Sequence, residues 1–166
     1  SVRPLKDDSY MRQVNVEGTR AVVDACLRTG VRRLLHVSSV AAVGSSTDGV
    51  PVDETARFNL AGLGMPYFET KYEAEQIAMA AGGDKLEVVV VNPSIMISLP
   101  DRQLTEKDLR KIPKRIPVYF DFGLNLVETG DVVDGIIKAL KRGKPGQRYL
   151  MGGENIDPRK LFNLGK

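Results

Sequence analysis

The run Leu86-Glu87-Val88-Val89-Val90-Val91 decides the fold of this 166-residue chain. Consecutive β-branched residues favour an extended backbone, and a strand without polar alternation is typical of a sheet that is covered on both faces. A second stretch with an apolar centre, Arg32–Val37, follows an apparent helix closed by Gly30, a residue suited to the left-handed position after a helix. We therefore predict two buried parallel strands.

Helical and strand patterns alternate along the first two thirds of the chain. A helix is predicted over about 8–28, and a second helix runs from Tyr67 to about Ala81, where Gly82 and Gly83 stop it. This order indicates an α/β fold with a parallel sheet and right-handed crossovers, the second half of a doubly wound sheet. Further along, we predict a short helix near 104–111, a strand near 125–127, a helix at 131–141 and a strand at 148–151.

Tyr67 and Lys71 lie four residues apart in a helix that begins after Pro66, so their side chains share one face. A free tyrosine ionises near pH ~10, and a neighbouring ammonium favours the phenolate, which makes the phenol a usable proton donor or acceptor. The spacing alone is weak, because Tyr and Lys also occur at i and i+4 in exposed helices where they only pack side by side.

Ser38 and Ser39 follow the first predicted strand. Open parallel sheets bind ligands at the carboxyl ends of their strands, so a serine there has a plausible role in chemistry. The alternative is that both hydroxyls only satisfy backbone groups where the strand becomes a loop.

Four ordered motifs together resemble the extended short-chain dehydrogenases/reductases, especially their nucleotide-sugar epimerase and dihydroflavonol-reductase-like branches. The motifs are Asn15–Thr19, His36–Gly44, Tyr67-x-x-x-Lys71 and Val91–Ser94. Three later segments also look like that family, and the resemblance covers Asn15 to Asn155. The later segments are Asp121–Val127, Gly130–Gly135 and Gly146–Asn155.

The resemblance implies a Rossmann-like parallel sheet with an interleaved smaller substrate-binding part. We expect a single partial domain, in which residues 1–97 form the second half of the sheet with the catalytic helix. Residues 98–166 would then belong mainly to the substrate-binding part.

The resemblance also implies an NAD(P)-dependent oxidoreductase or epimerase acting on a nucleotide sugar or a related hydroxyl or ketone compound. Tyr67 would be the acid/base, and Lys71 would tune it and bind the nicotinamide ribose. Ser39 would hold the substrate oxygen, and Asn15 would position the catalytic helix. The expected cofactor-binding residues are Val37, Ser38, Tyr67, Lys71, Pro93 and Ser94, and the expected substrate-binding residues are Ser39 and Asn92. Asn15 could equally bond only to backbone, and Asn92-Pro93 could simply end a strand.

Two departures from the family pattern concern the cofactor and the substrate. The chain contains no Gly-x-x-Gly-x-x-Gly turn between a buried strand and a helix, the context that holds a cofactor pyrophosphate. We therefore expect a partial chain, and the sequence does not decide between NAD and NADP. The stretch 97–101 also lacks the Gly-Pro pair usual near a sugar-like substrate. A catalytically idle chain that serves as a binding or redox-sensing scaffold is the alternative function.

Composition excludes several other classes of function. The chain is 42% hydrophobic and 27% charged, with a net charge of +3. It has no apolar run of the ~18 residues that a membrane span needs, so we expect a cytoplasmic enzyme without membrane partners. Cys26 is the only cysteine and His36 the only histidine, so no disulfide and no Cys/His metal site is expected. The basic stretch 107–115 is interpreted as a solvated helix face, not a nucleic-acid site. A homodimer paired through its long helices is expected.

Overall fold

The computed structural model of the protein describes residues 8–46, 48–98 and 124–156. Helices and strands alternate from residue 18 to residue 93, and most elements agree with the predicted ones. The helices are α1 (Asp8–Arg12), α2 (Gly18–Thr29), α3 (Pro66–Ala80) and α4 (Thr129–Arg142). The strands are β1 (Arg33–Val37), β2 (Glu87–Pro93), β3 (Ile95–Ile97), β4 (Leu124–Glu128), β5 (Arg148–Met151) and β6 (Glu154–Ile156).

The main sheet has the strand order β1-β2-β5, and both of its pairings are parallel. The register places Leu34 beside Val88 and Val90 beside Arg148. Strand β2 is therefore central, which is why its sequence is apolar on both faces. The predicted α/β fold with a parallel sheet is confirmed.

The four valines of β2 divide between the two faces of the main sheet. Val88 and Val90 join a buried cluster with Ala78 of α3, while Val89 and Val91 join another with Ala139 of α4. All four valines are 0% exposed. Burying each contributes about 1.5–3 kcal/mol, so this strand anchors helices on both sides.

The helix predicted over 8–28 is continuous but not uniform. α1 passes into a π-helical turn, Gln13–Glu17, before α2 begins, and single π turns are frequent at functional sites. α2 ends as predicted at Gly30, whose φ of 71° is left-handed. Cys26 packs against the Val88 cluster, in agreement with its predicted packing role.

A second, smaller sheet has the order β3-β4-β6, with β3 parallel and β6 antiparallel to β4. The strand predicted at 125–127, the helix at 131–141 and the strand at 148–151 are confirmed. Strands β3 and β6 were not predicted, because three residues are too few to show a periodic pattern. The helix predicted at 104–111 and the basic stretch 107–115 lie outside the described residues.

The long connection between β1 and α3 is irregular after one 3₁₀ turn, Val40–Ala42. Two features fasten it to the rest of the protein. Gly44 has a φ of 124°, and a Cβ there would lie 2.9 Å from the Arg57 carbonyl, so only glycine fits. Phe58 stacks on Tyr72 of α3 with ring centroids 4.2 Å apart. The connection therefore follows the flank of α3.

The predicted division at residue 97 stays a prediction. Strand β5 comes from the later part of the chain and pairs with β2 in the main sheet. The two parts of the sequence therefore share one sheet.

Candidate active site

The carboxyl ends of β1 and β2 lie side by side. Ser38 directly follows β1, and its backbone N–H donates to the Val91 carbonyl at 2.8 Å. Pro93 ends β2, and the backbone N–H of Ser94 donates to the Met151 carbonyl of β5 at 3.0 Å. The predicted strand-end residues thus gather at one edge of the main sheet, the edge where parallel sheets bind ligands.

Helix α3 brings Tyr67 and Lys71 to that edge. Pro66 begins the helix, a position where the missing N–H costs nothing. The Lys71 Nζ donates to the Val37 carbonyl at the end of β1, at 3.3 Å. Tyr67, one turn earlier on the same helical face, is 38% exposed. The ammonium therefore contacts the end of β1, while Tyr67 stays partly exposed to solvent.

Ser39 has an extended backbone, with φ −160° and ψ 155°. Its side-chain Oγ accepts a hydrogen bond from the Ala41 backbone N–H at 3.2 Å and so caps the 3₁₀ turn. Accepting through a lone pair leaves the hydroxyl hydrogen for donation to another group. The two roles weighed for this serine, capping and chemistry, are thus compatible.

Asn15 lies in the π-helical turn and reaches α3. Its Nδ2 donates to the Oγ1 of Thr70 at 3.1 Å, and its carbonyl accepts from the Thr19 hydroxyl at 2.6 Å. The contact with Thr70, between Tyr67 and Lys71 in sequence, is the geometry that a helix-positioning role requires. That role stays a prediction.

Asn92 is fully buried, at 0% exposure. Its Nδ2 donates to the Ser39 carbonyl at 3.0 Å and to the Glu75 Oε2 at 2.6 Å. Both donors of the amide therefore point into the protein, and only its Oδ1 remains for a substrate. The predicted contact of Asn92 with substrate stays a prediction.

Burial and charge act together around Lys71. Burial lowers the pKa of Lys71, and the Glu75 carboxylate opposes that change. Burial, followed by the Lys71 ammonium, lowers the pKa of His36 to about 4. Because His36 is neutral at physiological pH, Lys71 is the cation at this strand end.

Several buried polar atoms near the strand ends have no hydrogen-bond partner among the described residues. They are His36 Nε2, Ser38 Oγ, Asn92 Oδ1 and Ser94 Oγ. Nearly all buried polar groups in native proteins are paired, so such orphans need an explanation. The two serine hydroxyls follow adjacent strands, and a ligand bound at this edge would supply the missing partners.

Sequence reasoning missed Glu75 and Arg148. Glu75 is 1% exposed, and Arg148 forms an ion pair with it at 3.2 Å. Glu75 follows Lys71 by four residues, so its place on the Tyr67 face could have been found from helical spacing. Its burial could not, because glutamate is almost always exposed.

The described ranges contain neither a metal-binding cluster nor a membrane-spanning helix. Within them, no group of three or more His, Cys, Asp or Glu side chains could hold a metal ion. No helix of residues 8–46, 48–98 or 124–156 is both long and apolar enough to cross a membrane.

Comparison with known proteins identifies the same lineage as the motifs. The model of the NAD dependent epimerase/dehydratase family matches residues 3–152. The chain is 37% identical over 158 residues to a Synechocystis sp. protein named "Putative dihydroflavonol 4-reductase", covering 91% of this chain and 46% of that protein. It is 33% identical over 162 residues to dTDP-glucose 4,6-dehydratase of Streptomyces griseus, covering 91% and 47%.

A solved structure gives the same result. The crystal structure of gox2253 superposes with a TM-score of 0.80 at 36% identity, covering 98% of this chain and 51% of that one. The chain spans about half the length of the curated relatives it matches. The resemblance inferred from the four motifs is confirmed.

Proposed function

The chain belongs to the NAD dependent epimerase/dehydratase family, and from that premise we propose that the full-length protein is an NAD(P)-dependent oxidoreductase or epimerase. It acts on a carbon that bears a hydroxyl or keto oxygen. The substrate is a nucleotide sugar or a related hydroxyl or ketone compound.

One observation carries the proposal. The Lys71 ammonium bridges α3 and the end of β1 at 3.3 Å from the Val37 carbonyl, and Tyr67 stands one turn earlier with 38% exposure. A phenol and an ammonium on one helical face at the mouth of the sheet can exchange a proton with a bound molecule. An ordinary surface pair would not be fixed across the carboxyl end of a parallel strand.

The strand ends fit the nicotinamide portion of a dinucleotide. Ser38 Oγ and Ser94 Oγ are buried without a partner among the described residues, which suits a polar ligand. Val37, Ser38, Pro93 and Ser94 would line the ring, with Lys71 and Tyr67 beside its ribose. When bound, such a cofactor accepts or supplies hydride. No residue of this chain is assigned to the pyrophosphate, because the glycine-rich turn is absent from the sequence.

The protein's own residues handle the proton. In reduction, Tyr67 gives its hydroxyl proton to the substrate carbonyl oxygen, and in oxidation the phenolate takes the proton from the hydroxyl. Ser39, whose Oγ already accepts from Ala41, donates its hydrogen to the same substrate oxygen and stabilises its developing charge. Lys71 keeps a positive charge near the phenol.

We further propose a homodimer in the cytoplasm. The exposed apolar side chains of α2, among them Val22 at 53% and Leu27 at 42%, suit helix pairing between two copies. Size-exclusion chromatography with light scattering would give the mass of the protein in solution. A monomer at micromolar concentration would contradict the dimer.

The central test replaces Tyr67 with Phe in the full-length protein. Removal of the phenolic hydroxyl should lower kcat by about 10²–10⁴-fold, while the dissociation constant for NADPH changes little. With a nucleotide sugar, a dihydroflavonol and a steroid alcohol as substrates, net oxidation or reduction would be followed by nicotinamide absorbance. Epimerisation, which causes no net change in the cofactor, would be followed by chromatography of the products. Phe68→Leu is the control, because Phe68 neighbours Tyr67 but carries no ionisable group.

The outcomes separate the two functions under consideration. Unchanged turnover in Tyr67→Phe would remove the tyrosine from the reaction. A wild-type protein that binds NADPH yet turns over none of the three substrate classes would favour the scaffold alternative.

A further inference from the structure

A charged network lies directly behind the candidate active site. Glu75 is 1% exposed, and its carboxylate accepts from the Asn92 Nδ2 at 2.6 Å and from an Arg148 guanidinium nitrogen at 3.2 Å. A buried carboxylate is costly unless it is both paired and hydrogen-bonded. The proton transfer described above uses neither Glu75 nor Arg148, so the network needs another explanation.

The Asn92 side chain connects this network to Ser39 by hydrogen bonds. One amide nitrogen donates to two acceptors, the Glu75 carboxylate and, at 3.0 Å, the Ser39 carbonyl. Both neighbours are acceptors, so the amide can present only its nitrogen to them. Glu75 thereby fixes which way the Asn92 amide faces and holds it against the Ser39 backbone.

The position of the Ser39 carbonyl affects the backbone on both sides of it. Its position follows the Ser39 backbone torsion ψ, which is 155°, and the same residue caps the 3₁₀ turn through its Oγ. Moving the carbonyl would rotate the peptide that carries Val40 and change the direction of the adjoining turn. The hydroxyl of Ser39 would then lose its fixed direction toward a bound substrate.

Glu75 also shares a helical face with the proton-transferring pair. Tyr67, Lys71 and Glu75 are spaced by four residues along α3, so they form one stripe. The network therefore joins the helix that carries the phenol to the strand end that carries the hydroxyl. We propose that Glu75 is a positioning residue, which sets the Ser39 hydroxyl relative to Tyr67 through the Asn92 amide. The proposal rests on the proposed function of this site.

Arg148 neutralises the charge of the buried Glu75 carboxylate. Its Nε donates to the Glu54 carbonyl at 2.9 Å, and another guanidinium nitrogen donates to the Ala56 carbonyl. The guanidinium thus uses its donors on the connection before α3 as well as on Glu75. Arg148 belongs to β5, so the carboxylate is held by a strand of the main sheet.

The test compares Glu75→Gln with Glu73→Gln in the full-length protein. Glutamine keeps an acceptor oxygen for Asn92 but presents an amide nitrogen to Arg148, so the network must rearrange. We expect kcat to fall by about ten- to a hundred-fold, with the dissociation constant for NADPH changed less than about twofold. Glu73 lies two residues earlier, in an ion pair with Arg12 that is 38–50% exposed, and its variant should keep wild-type kcat.

A second readout does not need turnover. With ¹³C-carbonyl serine, the Ser39 signal, assigned by its loss in Ser39→Ala, should shift in Glu75→Gln and stay in place in Glu73→Gln. A Glu75→Gln protein with wild-type kcat and an unmoved Ser39 signal would overturn the proposal, even if its melting temperature fell. If the wild type itself showed no turnover, the proposed function would fail, and the Ser39 signal would still decide whether Glu75 holds that carbonyl.

Discussion

Two adjacent turns of α3 satisfy their polar groups in different ways. At Lys71 the ammonium donates to a strand-end carbonyl at 3.3 Å, and the neighbouring Tyr67 is 38% exposed. One turn later Glu75 is 1% exposed and held by both Asn92 and Arg148. The turn that carries Tyr67 and Lys71, the open turn, leaves groups available to a ligand. The turn at Glu75, the closed turn, is paired with the protein's own side chains.

This difference indicates a division of labour along one helix. Groups that exchange protons must meet substrate, so they retain unused hydrogen-bonding capacity in the folded chain. Groups that fix geometry need partners for their charges, because a buried carboxylate without a partner destabilises the fold. Substitutions in the closed turn should therefore reduce stability, and substitutions in the open turn should chiefly change activity and pH response.

The largest stability effect is expected for Asn92→Asp, which places a carboxylate against two acceptors. The introduced oxygen would face the Glu75 carboxylate and the Ser39 carbonyl in a site of 0% exposure. We expect the free energy of unfolding to fall by about 3 kcal/mol or more at neutral pH. Urea unfolding followed by circular dichroism would measure it.

The matched control for that variant is Asn125→Asp. Asn125 also donates to two acceptors, the Gly153 carbonyl and the Asn155 Oδ1, but at the exposed side of β4. Its loss should be about 1 kcal/mol, because water can solvate the new charge. Equal losses in the two variants would show that the network behind Ser39 is not closed to solvent.

The two turns also differ in what the sequence could predict. Strand β2 followed from its run of valines, and Tyr67 and Lys71 followed from spacing together with the family motifs. Glu75 did not, because its partner Arg148 is 73 residues away and nothing local marks either side chain as buried. Long-range pairing of charged residues depends on the sheet register, which places Val90 beside Arg148.

Other parts of the fold could not be predicted from the sequence, for different reasons. The π-helical turn at Gln13–Glu17 changes the hydrogen-bond ladder without changing the residue pattern. The edge strands β3 and β6 take their shape from pairing with β4, not from propensity. Elements with a dense apolar core were therefore predictable, and short edge elements were not.

A second, intermediate effect concerns pH and the open turn. Burial, followed by the Lys71 ammonium, lowers the pKa of His36 from 6.5 to about 4. The unfolded chain therefore takes up this proton near pH 6.5 and the folded chain only near pH 4, so stability falls as pH decreases through that window. We expect the loss from this residue to be about 3 kcal/mol, complete below the folded-state pKa.

Unfolding free energies at a series of pH values would test this effect. His36→Gln removes the titrating group, so its stability should vary less with pH between neutrality and mild acid. Lys71→Met removes the neighbouring cation, so the pKa of His36 in the folded protein should lie closer to its ordinary value. The free energy of unfolding should then fall less than in the wild type as the pH decreases. Parallel pH profiles for wild type and His36→Gln would contradict the neutral, buried state of this imidazole.

The smallest effect is expected for Thr70→Val, which tests the junction between the two turns. Thr70 is 1% exposed, and its Oγ1 accepts from the Asn15 Nδ2 at 3.1 Å. Valine keeps the shape but removes the acceptor, so the free energy of unfolding should fall by about 1 kcal/mol, or about 2–4 °C in Tm. Thr29→Val is the control, since Thr29 is exposed and its hydroxyl donates to the Ala25 carbonyl of its own helix, as the Thr70 hydroxyl does to the Tyr67 carbonyl.

The same variant distinguishes a positioning contact from a packing contact. If the bond from Asn15 sets where α3 lies, Thr70→Val should also lower kcat several-fold, because Tyr67 and Lys71 flank residue 70 on either side. Thr29→Val should leave kcat unchanged. A loss of stability without any change in kcat would mean that Asn15 only fastens the helices together, and that the orientation of α3 is set by the closed turn at Glu75.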